Sequence, residues 1–207
     1  MNNLKYDLKN KYCLITGAAG LLGEEHAHSL LESNANVILT DINIKKLNYI
    51  KKRLNKKYPI SKIFIIKMDV SKENSIKKVI KKLKKDNVKL HCLINNAAID
   101  SKIKKNQKMS NTSSFEKVLL QDWEKHLSVG LTGAMLCAKH FGKMIISNKN
   151  GGVIINVASD LSVIAPNHRI YSKGVYKPVM YSVRVLPDLT ACRLICVNKL
   201  FEIFILN

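Results

Sequence analysis

The chain has 207 residues, of which 46% are hydrophobic and 24% charged. This length suits one domain, and the composition excludes a disordered, collagen-like or mucin-like chain while leaving enough apolar material for a core. With 35 Lys+Arg against 15 Asp+Glu, the net charge is +20, and nearly all of the basic residues are lysines.

Targeting segments and metal-ligand patterns are not evident. Residues 1–7 lack the apolar segment of a signal peptide, and no run approaches the roughly 18 apolar residues of a spanning helix, so we expect no membrane span. No two cysteines form a CxxC pair, and no histidine follows the last two at metal-ligand spacing, so we expect no metal site. The odd number of cysteines on apolar segments suggests buried free thiols in a reducing, cytoplasmic compartment. The cysteines are Cys13, Cys92, Cys137, Cys192 and Cys196.

Strand and helix patterns alternate along the chain. Short apolar runs predict strands over residues 12–15, 36–40, 63–66, 90–94 and 153–157. Apolar residues spaced by three and four predict helices over residues 21–32, 44–58, 73–85 and 123–147, with Ser71 as the expected cap of the third. The composition of residues 101–114 predicts a surface loop. The alternation predicts a doubly wound α/β fold: a parallel sheet covered by helices on both faces, in three layers.

A glycine-rich turn joins the first strand to the first helix. Residues 16–23 place Gly17, Gly20 and Gly23 in the spacing G-x-x-G-x-x-G. Gly17 would permit the tight turn, Gly20 would let the backbone approach a pyrophosphate, and Gly23 would let the helix pack closely on the sheet. The helix N-terminus would then bind the phosphates, which predicts dinucleotide binding; the alternative is a purely structural turn.

An acidic residue, Asp41, ends the second strand. At about 20 residues beyond the glycine turn, a carboxylate accepts hydrogen bonds from the adenosine ribose and repels a 2′-phosphate, which favours NAD over NADP. The alternative is that Asp41 caps the next helix. Lys45 and Lys46 lie nearby and would attract a phosphate, which counts against NAD.

Three motifs in this order resemble the short-chain dehydrogenase/reductase family. They are the turn at residues 16–23, Met68-Asp69-Val70 after the third strand, and Asn95-Asn96-Ala97-Ala98 after the fourth. The resemblance covers about residues 10–183 and implies a Rossmann-like fold that binds NAD(P). The residues it assigns to the cofactor are Thr16, Gly17, Gly20, Leu22, Gly23, Asp41, Asp69, Val70, Asn95, Asn96 and Ala97. Residues 156–166 resemble a subgroup found among bacterial surface-glycan and flagellin-glycan modification enzymes.

The resemblance also implies a catalytic serine and tyrosine. Ser159 follows the fifth strand and matches the family serine, which orients the substrate oxygen. Tyr181, in a segment resembling the subgroup, is the expected acid/base, with Tyr171 as the alternative. A free phenol has a pKa of about 10, and the family lowers it with a lysine four residues later. Here that position is Val185, and Tyr171 and Tyr176 lack the lysine as well.

Two further departures from the family pattern stand out. Gly130 occupies the position of the supporting asparagine, and the sequence after residue 183 no longer follows the family. Pro187 would break the expected helix there. We therefore expect a dinucleotide-binding domain over residues 1–183 and a divergent tail over residues 184–207, with the C-terminal strands incomplete. A truncation or frameshift near codon 184 would explain this, as would a natural variant. Residues 200–206 would form a replacement strand or an aggregation-prone end.

The expected function is hydride transfer between a nicotinamide and a carbonyl or alcohol substrate such as a sugar or nucleotide sugar, impaired or absent in this chain. A second hypothesis is a non-catalytic dinucleotide-binding or scaffold protein, and a homo-oligomer is compatible with both. A third is a basic polyanion-binding protein. The lysines lie opposite the apolar faces of predicted helices, arginines are few, and no aromatic platform is evident among the lysines. Nucleic acid is therefore not the partner we expect.

Overall fold

The fold is a sheet with helices on both faces. The computed structural model describes residues 6–99 and 119–158, and the backbone of residues 203–206. The strands are β1 (Tyr12–Thr16), β2 (Asn36–Asp41), β3 (Ile63–Lys67), β4 (Leu90–Asn95), β5 (Gly152–Asn156) and β6 (Ile203–Leu206), in the spatial order β3-β2-β1-β4-β5-β6. The first five pair in parallel with one another, as the alternation predicts.

Four segments of helix cover the sheet. They are α1 (Leu21–Glu32), α2 (Ile44–Lys57), α3 (Glu73–Lys85) and a long helix in two α-helical parts, α4 (Leu120–Leu127) and α5 (Gly133–Ile146). α1 and α2 pack on one face, where Leu47, Ile50 and Leu54 of α2 are buried. α3 and α5 pack on the other face, where α3 buries Ile76 and Leu83. The predicted three-layer architecture is confirmed.

The long helix differs from the prediction. It begins at Leu120 rather than Trp123, and a π-helical turn, Ser128–Thr132, separates α4 from α5. A π-turn contains one residue more than an α-turn, and such turns are frequent at functional sites. Apolar periodicity alone predicts one continuous helix because the insertion displaces the pattern by only one residue.

The predicted cap of α3 is wrong. The N-cap residue is Lys72, and its side chain makes no capping hydrogen bond. The Ser71 hydroxyl instead donates to Asp69 Oδ1 at 2.6 Å. A hydrogen bond to a charged carboxylate is stronger than the capping bond that the hydroxyl would otherwise make to a backbone N–H. Ser71 therefore orders the loop after β3 rather than the helix.

A C-terminal strand lies at the far edge of the sheet. β6 pairs antiparallel with β5, with Gly152 opposite Leu206 and Ile155 opposite Ile203. This is the replacement strand expected within residues 200–206. No helix in the described part of the chain is long and apolar enough to cross a membrane.

Three of the cysteines are buried free thiols, as expected: Cys13, Cys92 and Cys137. A hydrogen bond with Cys92, together with burial, raises the pKa of the Cys13 thiol far above its usual range. Burial raises the pKa of Cys137 to about 12. The Cys13 and Cys137 thiols therefore stay protonated and act as small apolar core groups. Cys192 and Cys196 lie outside the described residues.

Candidate functional site

The glycine turn lies at the carboxyl edge of the sheet, between β1 and α1. Gly17 has φ +63°, and a Cβ there would lie 2.7 Å from the Cα of Ala97. A Cβ on Gly23 would lie 2.6 Å from the Gly17 carbonyl oxygen. Both positions therefore require glycine, one for the turn and one for the close packing of α1, as predicted.

The start of α1 is open to a ligand. Gly20 is the N-cap residue and is exposed, and Leu22 in the first turn is 56% exposed. The first N–H groups of any helix have no carbonyl one turn earlier to accept their hydrogen bonds. Those of α1 lie beside the glycine turn, and a helix N-terminus that follows such a turn is an arrangement that binds phosphate.

The segment after β4 holds the turn from one side. The Asn96 side-chain amide donates to the carbonyl oxygens of Thr16 at 3.0 Å and Gly17 at 3.2 Å. The buried Thr16 hydroxyl accepts from the N–H groups of Asn96 and Ala97, each at 3.0 Å, and donates to the Ile94 carbonyl. Thr16 and Asn96 therefore fix the backbone of the turn, and the Thr16 side chain is only 1% exposed.

Asp41 holds the turn from the other side. Its Oδ2 accepts from the N–H of Ala19 at 3.1 Å, and its Oδ1 accepts from the N–H of Asn43 at 2.8 Å. The alternative that Asp41 caps α2 is wrong, because the N-cap is Asn43, whose side chain accepts from Lys46 N at 3.0 Å. The carboxylate is thus left beside the glycine turn at the end of β2.

An open groove lies between the loops that follow β2 and β3, and its lining begins at Ile42, next to Asp41 in the chain. Asp69 lies in this groove, and its carboxylate accepts from the Ser71 N–H and hydroxyl and lies 3.6 Å from the Lys72 ammonium. Lys45 and Lys67 also line the groove. Val70, next to Asp69, is buried and would contact a Cβ placed on Gly133.

A second pocket lies at the centre of the carboxyl edge, against the π-turn. Gly130 lines it, in the position where the family pattern expects a supporting asparagine, together with Asn95 and Asn156. Asn95 Nδ2 donates to Asn156 Oδ1 at 2.8 Å, and Asn95 Oδ1 is buried without a hydrogen-bond partner among the described residues. Asn156 is not among the predicted site residues, although its position as the last residue of β5 is a signal for it.

The predicted catalytic residues fall outside the described residues. β5 ends at Asn156, three positions before Ser159 in the chain. Ser159 and Tyr181, and the alternatives Tyr171 and Tyr176, are not placed by the structure. The residues predicted for the cofactor, by contrast, all lie along the carboxyl edge of the parallel strands, where ligands bind in open α/β sheets.

Comparison with known proteins agrees with this arrangement. The family model for short chain dehydrogenase matches residues 11–173. The chain belongs to the short-chain dehydrogenase family. It is 30% identical to an uncharacterized oxidoreductase of Thermotoga maritima over 73% of this chain and 54% of that protein. It is 28% identical to an NAD-dependent glycerol dehydrogenase of Listeria innocua over 77% of this chain and 57% of that protein. The chain thus spans about half the length of these curated relatives.

Solved structures of the family share the fold. An NADPH-bound short-chain oxidoreductase of Pseudomonas aeruginosa, described as containing an atypical catalytic centre, superposes with a TM-score of 0.74. The alignment covers 91% of this chain and 65% of that one at 17% identity. This similarity shows that the two chains share the three-dimensional arrangement of the sheet and its helices.

Proposed function

We propose that this chain is the dinucleotide-binding part of an NAD(P)-dependent oxidoreductase that acts on a small-molecule carbonyl or alcohol. The observation that carries the proposal is the preorganised glycine turn, which Asn96 clamps on one side and Asp41 on the other. Holding the turn in shape before a ligand arrives lowers the ordering cost of binding. A nicotinamide cofactor bound here would supply the hydride acceptor or donor.

The exposed start of α1 at Gly20 fits such a cofactor. The open N-terminus of α1 would bind the pyrophosphate, and Asp41 would accept hydrogen bonds from the adenosine ribose. Asp69 would lie beside the adenine. We propose NAD rather than NADP, because the Asp41 carboxylate would repel a 2′-phosphate. Lys45 and Lys67 in the adjoining groove oppose that preference, and the similar proteins named above include both an NAD-dependent enzyme and an NADPH-bound one.

The catalytic residues we propose are Ser159, to orient the substrate oxygen, and Tyr181, to exchange its proton. With Val185 in place of a lysine, no ammonium follows Tyr181 at the spacing that favours the phenolate. Gly130 likewise offers no side chain to the pocket at the π-turn. We therefore propose that the chain binds dinucleotide but transfers hydride slowly or not at all. This is also the outcome expected of a non-catalytic family member.

Two finer proposals rest on the sequence beyond β5. Residues 156–166 support a sugar or nucleotide sugar as the substrate, by their resemblance to the glycan-modification subgroup. We attribute the departure from the family after residue 183 to a frameshift. Sequencing the gene and translating its other frames tests this. We expect another frame to continue Tyr181-Ser182-Val183 with x-Lys, which completes the motif Tyr-Ser-Val-x-Lys. The absence of such a continuation contradicts the frameshift.

The binding proposal is tested by calorimetry with NAD⁺, NADH and NADPH. We expect saturable binding of NAD⁺ and NADH, and a loss of about tenfold or more in Asp41→Ala, the value of one hydrogen bond to a charged acceptor. Asp86→Ala removes an exposed carboxylate at the far end of α3 and serves as the control, with unchanged affinity expected. If none of the three dinucleotides binds the folded protein, the proposed function is wrong.

Turnover is measured separately, by following NADH absorbance with a panel of sugar and nucleotide-sugar carbonyls. We expect little or no oxidation of NADH above background. A specific activity typical of an intact dehydrogenase would contradict the impaired state while leaving the binding proposal in place.

A further inference from the structure

Most of the positive charge of the chain lies in residues 44–89. Seventeen basic residues occur there against three acidic ones, a net charge of +14 out of the +20 of the whole chain. These residues form α2, β3 and α3 and their connections. The charge is therefore concentrated at one end of the sheet.

The two helices lie on opposite faces of the sheet, and β3 between them is its edge strand. Each helix buries its apolar residues against the sheet and exposes its lysines. Lys62 and Lys67, on either side of the strand, are exposed too. Exposed lysines thus lie on the outer sides of α2 and α3 and at the two ends of β3, the edge strand that joins these helices along the chain. We call the surface at these lysines the basic edge.

Little of this charge is neutralised. Arg53 and Lys57 pair with glutamates of α1, each at 3.2 Å. Lys77 pairs with Glu73 at 3.4 Å, and Lys72 pairs with Asp69 at 3.6 Å. Lysines that make no ion pair with any described residue include Lys52, Lys56, Lys78, Lys81, Lys82 and Lys85. Several of them lie four residues apart on one helix and repel each other, so a bound polyanion would relieve that repulsion.

We propose that the basic edge binds the sugar-phosphate backbone of single-stranded nucleic acid without reading its sequence. Lysine ammonium groups on flexible stems contact phosphates as point charges, and the near absence of arginine removes the bidentate contacts that recognise bases. A flexible strand can follow the surface around β3 from one helix to the other, whereas a stiff duplex or a flat membrane would contact only one side of it.

An exposed aromatic side chain supports a single strand as the occupant. Tyr49 of α2 is 62% exposed, and the Arg53 guanidinium lies 5.8 Å from the centroid of its ring. Bases stack on such a ring irrespective of sequence. The sequence argues against nucleic acid as a partner on three grounds: the lysines lie opposite apolar helix faces, arginines are few, and no aromatic platform is evident among the lysines. The exposed Tyr49 bears on the third of these grounds.

A membrane surface suits the basic edge less well. A helix that lies in a bilayer interface inserts an apolar face between the lipids. The apolar faces of α2 and α3 are already buried against the sheet, at Leu47 and Ile50 and at Ile76 and Leu83. Only electrostatic attraction to lipid headgroups would remain.

The test is fluorescence anisotropy of labelled oligothymidylate with the full chain at increasing salt. We expect binding that weakens steeply with salt, because each phosphate that a lysine neutralises releases a counterion. A variant with Lys78→Gln, Lys81→Gln, Lys82→Gln and Lys85→Gln should reduce the logarithmic salt slope by about 0.7 for each phosphate that is no longer neutralised. The matched control neutralises four exposed lysines elsewhere, Lys9, Lys125, Lys143 and Lys149, and should leave the slope unchanged.

A second variant tests the stacking of a base on the exposed ring. Tyr49→Ala should weaken oligothymidylate binding about fivefold or more, since stacking of one base contributes about 1–3 kcal/mol, whereas Tyr49→Phe should bind normally. The substituted side chains are exposed, and circular dichroism checks that the variants fold. Equal losses in the α3 variant and its control would reduce the effect to net charge and overturn the proposal. Absence of oligonucleotide binding would also overturn it, as would binding to phosphatidylglycerol vesicles alone.

Discussion

The carboxylate of Asp41 accepts a hydrogen bond from the backbone N–H of Ala19 at 3.1 Å, which ties the end of β2 to the middle of the glycine turn. The group we propose to bind the ribose therefore also holds the loop that would hold the pyrophosphate. Under the proposed function, recognition of the ribose and the shape of the phosphate site would both depend on the Asp41 side chain.

This double role predicts different outcomes for two substitutions of Asp41. Asp41→Asn keeps an oxygen that can accept from Ala19 N, so the turn should persist while the negative charge is removed. NADPH binding relative to NADH should then rise about tenfold, because the 2′-phosphate is no longer repelled and Lys45 lies nearby. Asp41→Ala removes the acceptor as well and should weaken both cofactors. Calorimetry with both cofactors checks the ratio; an unchanged ratio in Asp41→Asn would mean that this carboxylate does not select the cofactor.

Replacing the turn glycines should cost stability in proportion to the steric conflict. Gly17→Ala places a Cβ 2.7 Å from the Ala97 backbone at a positive φ, and we expect a loss of about 2–4 kcal/mol. Gly20→Ala is the comparison, since φ is −75° there and the nearest atom to a Cβ is 3.2 Å away, so the loss should stay below about 1 kcal/mol. Urea unfolding measures both, and equal losses would contradict the geometry.

The stability of the fold should depend on the hydroxyl group of Thr16 and not on its methyl group. Thr16→Val leaves the N–H groups of Asn96 and Ala97 without their acceptor in a buried site, which should cost about 1–3 kcal/mol. Thr16→Ser retains the hydroxyl and should lose much less. If chemical denaturation gives the same free energy of unfolding for both variants, the hydrogen bonds of the Thr16 hydroxyl to Asn96 and Ala97 contribute nothing to stability.

A hydrogen bond between α3 and α5 predicts how the stability of the fold depends on acid pH. His140 Nε2 lies 2.6 Å from Glu73 Oε1, and hydrogen bonds from His140 and Lys77 lower the Glu73 pKa from 4.5 to about 2. The depressed pKa adds stability above pH 4.5, and that contribution disappears as the pH falls toward 2. Glu73→Gln should therefore flatten the pH dependence of stability in this window, and an unchanged profile would assign the acid sensitivity to other carboxylates.

Prediction of the elements from sequence succeeds wherever burial decides the structure. The runs around Cys13, Val37 and Leu93 are buried on both faces of a parallel sheet, so a continuous apolar stretch identifies each strand to within about one residue. Caps are less predictable because Ser71 and Asp41 have several possible hydrogen-bond partners within reach. Their actual partners, Asp69 and Ala19, follow only from the backbone path of the loops.

The candidate site shows the same division. Gly17 and Gly23 follow from the local sequence, since a tight turn and close helix packing leave few other choices. Asn156 escapes prediction because its role depends on Asn95, which is 61 residues away in the chain. The π-turn escapes because one additional residue in a helix leaves the apolar periodicity almost unchanged, although the two glycines within and after it, Gly130 and Gly133, are a visible signal.

That additional residue is taken up inside the wide turn and is not passed on to the rest of the helix. An α-helix rotates by about 100° per residue, and a π-turn holds about one residue more in a single turn, so α4 and α5 keep nearly the orientation they would have in a regular helix. His126 of α4 and Phe141 and Ile145 of α5 are buried on either side of the turn. Deleting Gly130 should therefore restore a regular helix and narrow the backbone beside the central pocket, while the packing of both helices on the sheet is kept. The shape of this pocket can thus change by one residue without a rearrangement of the core.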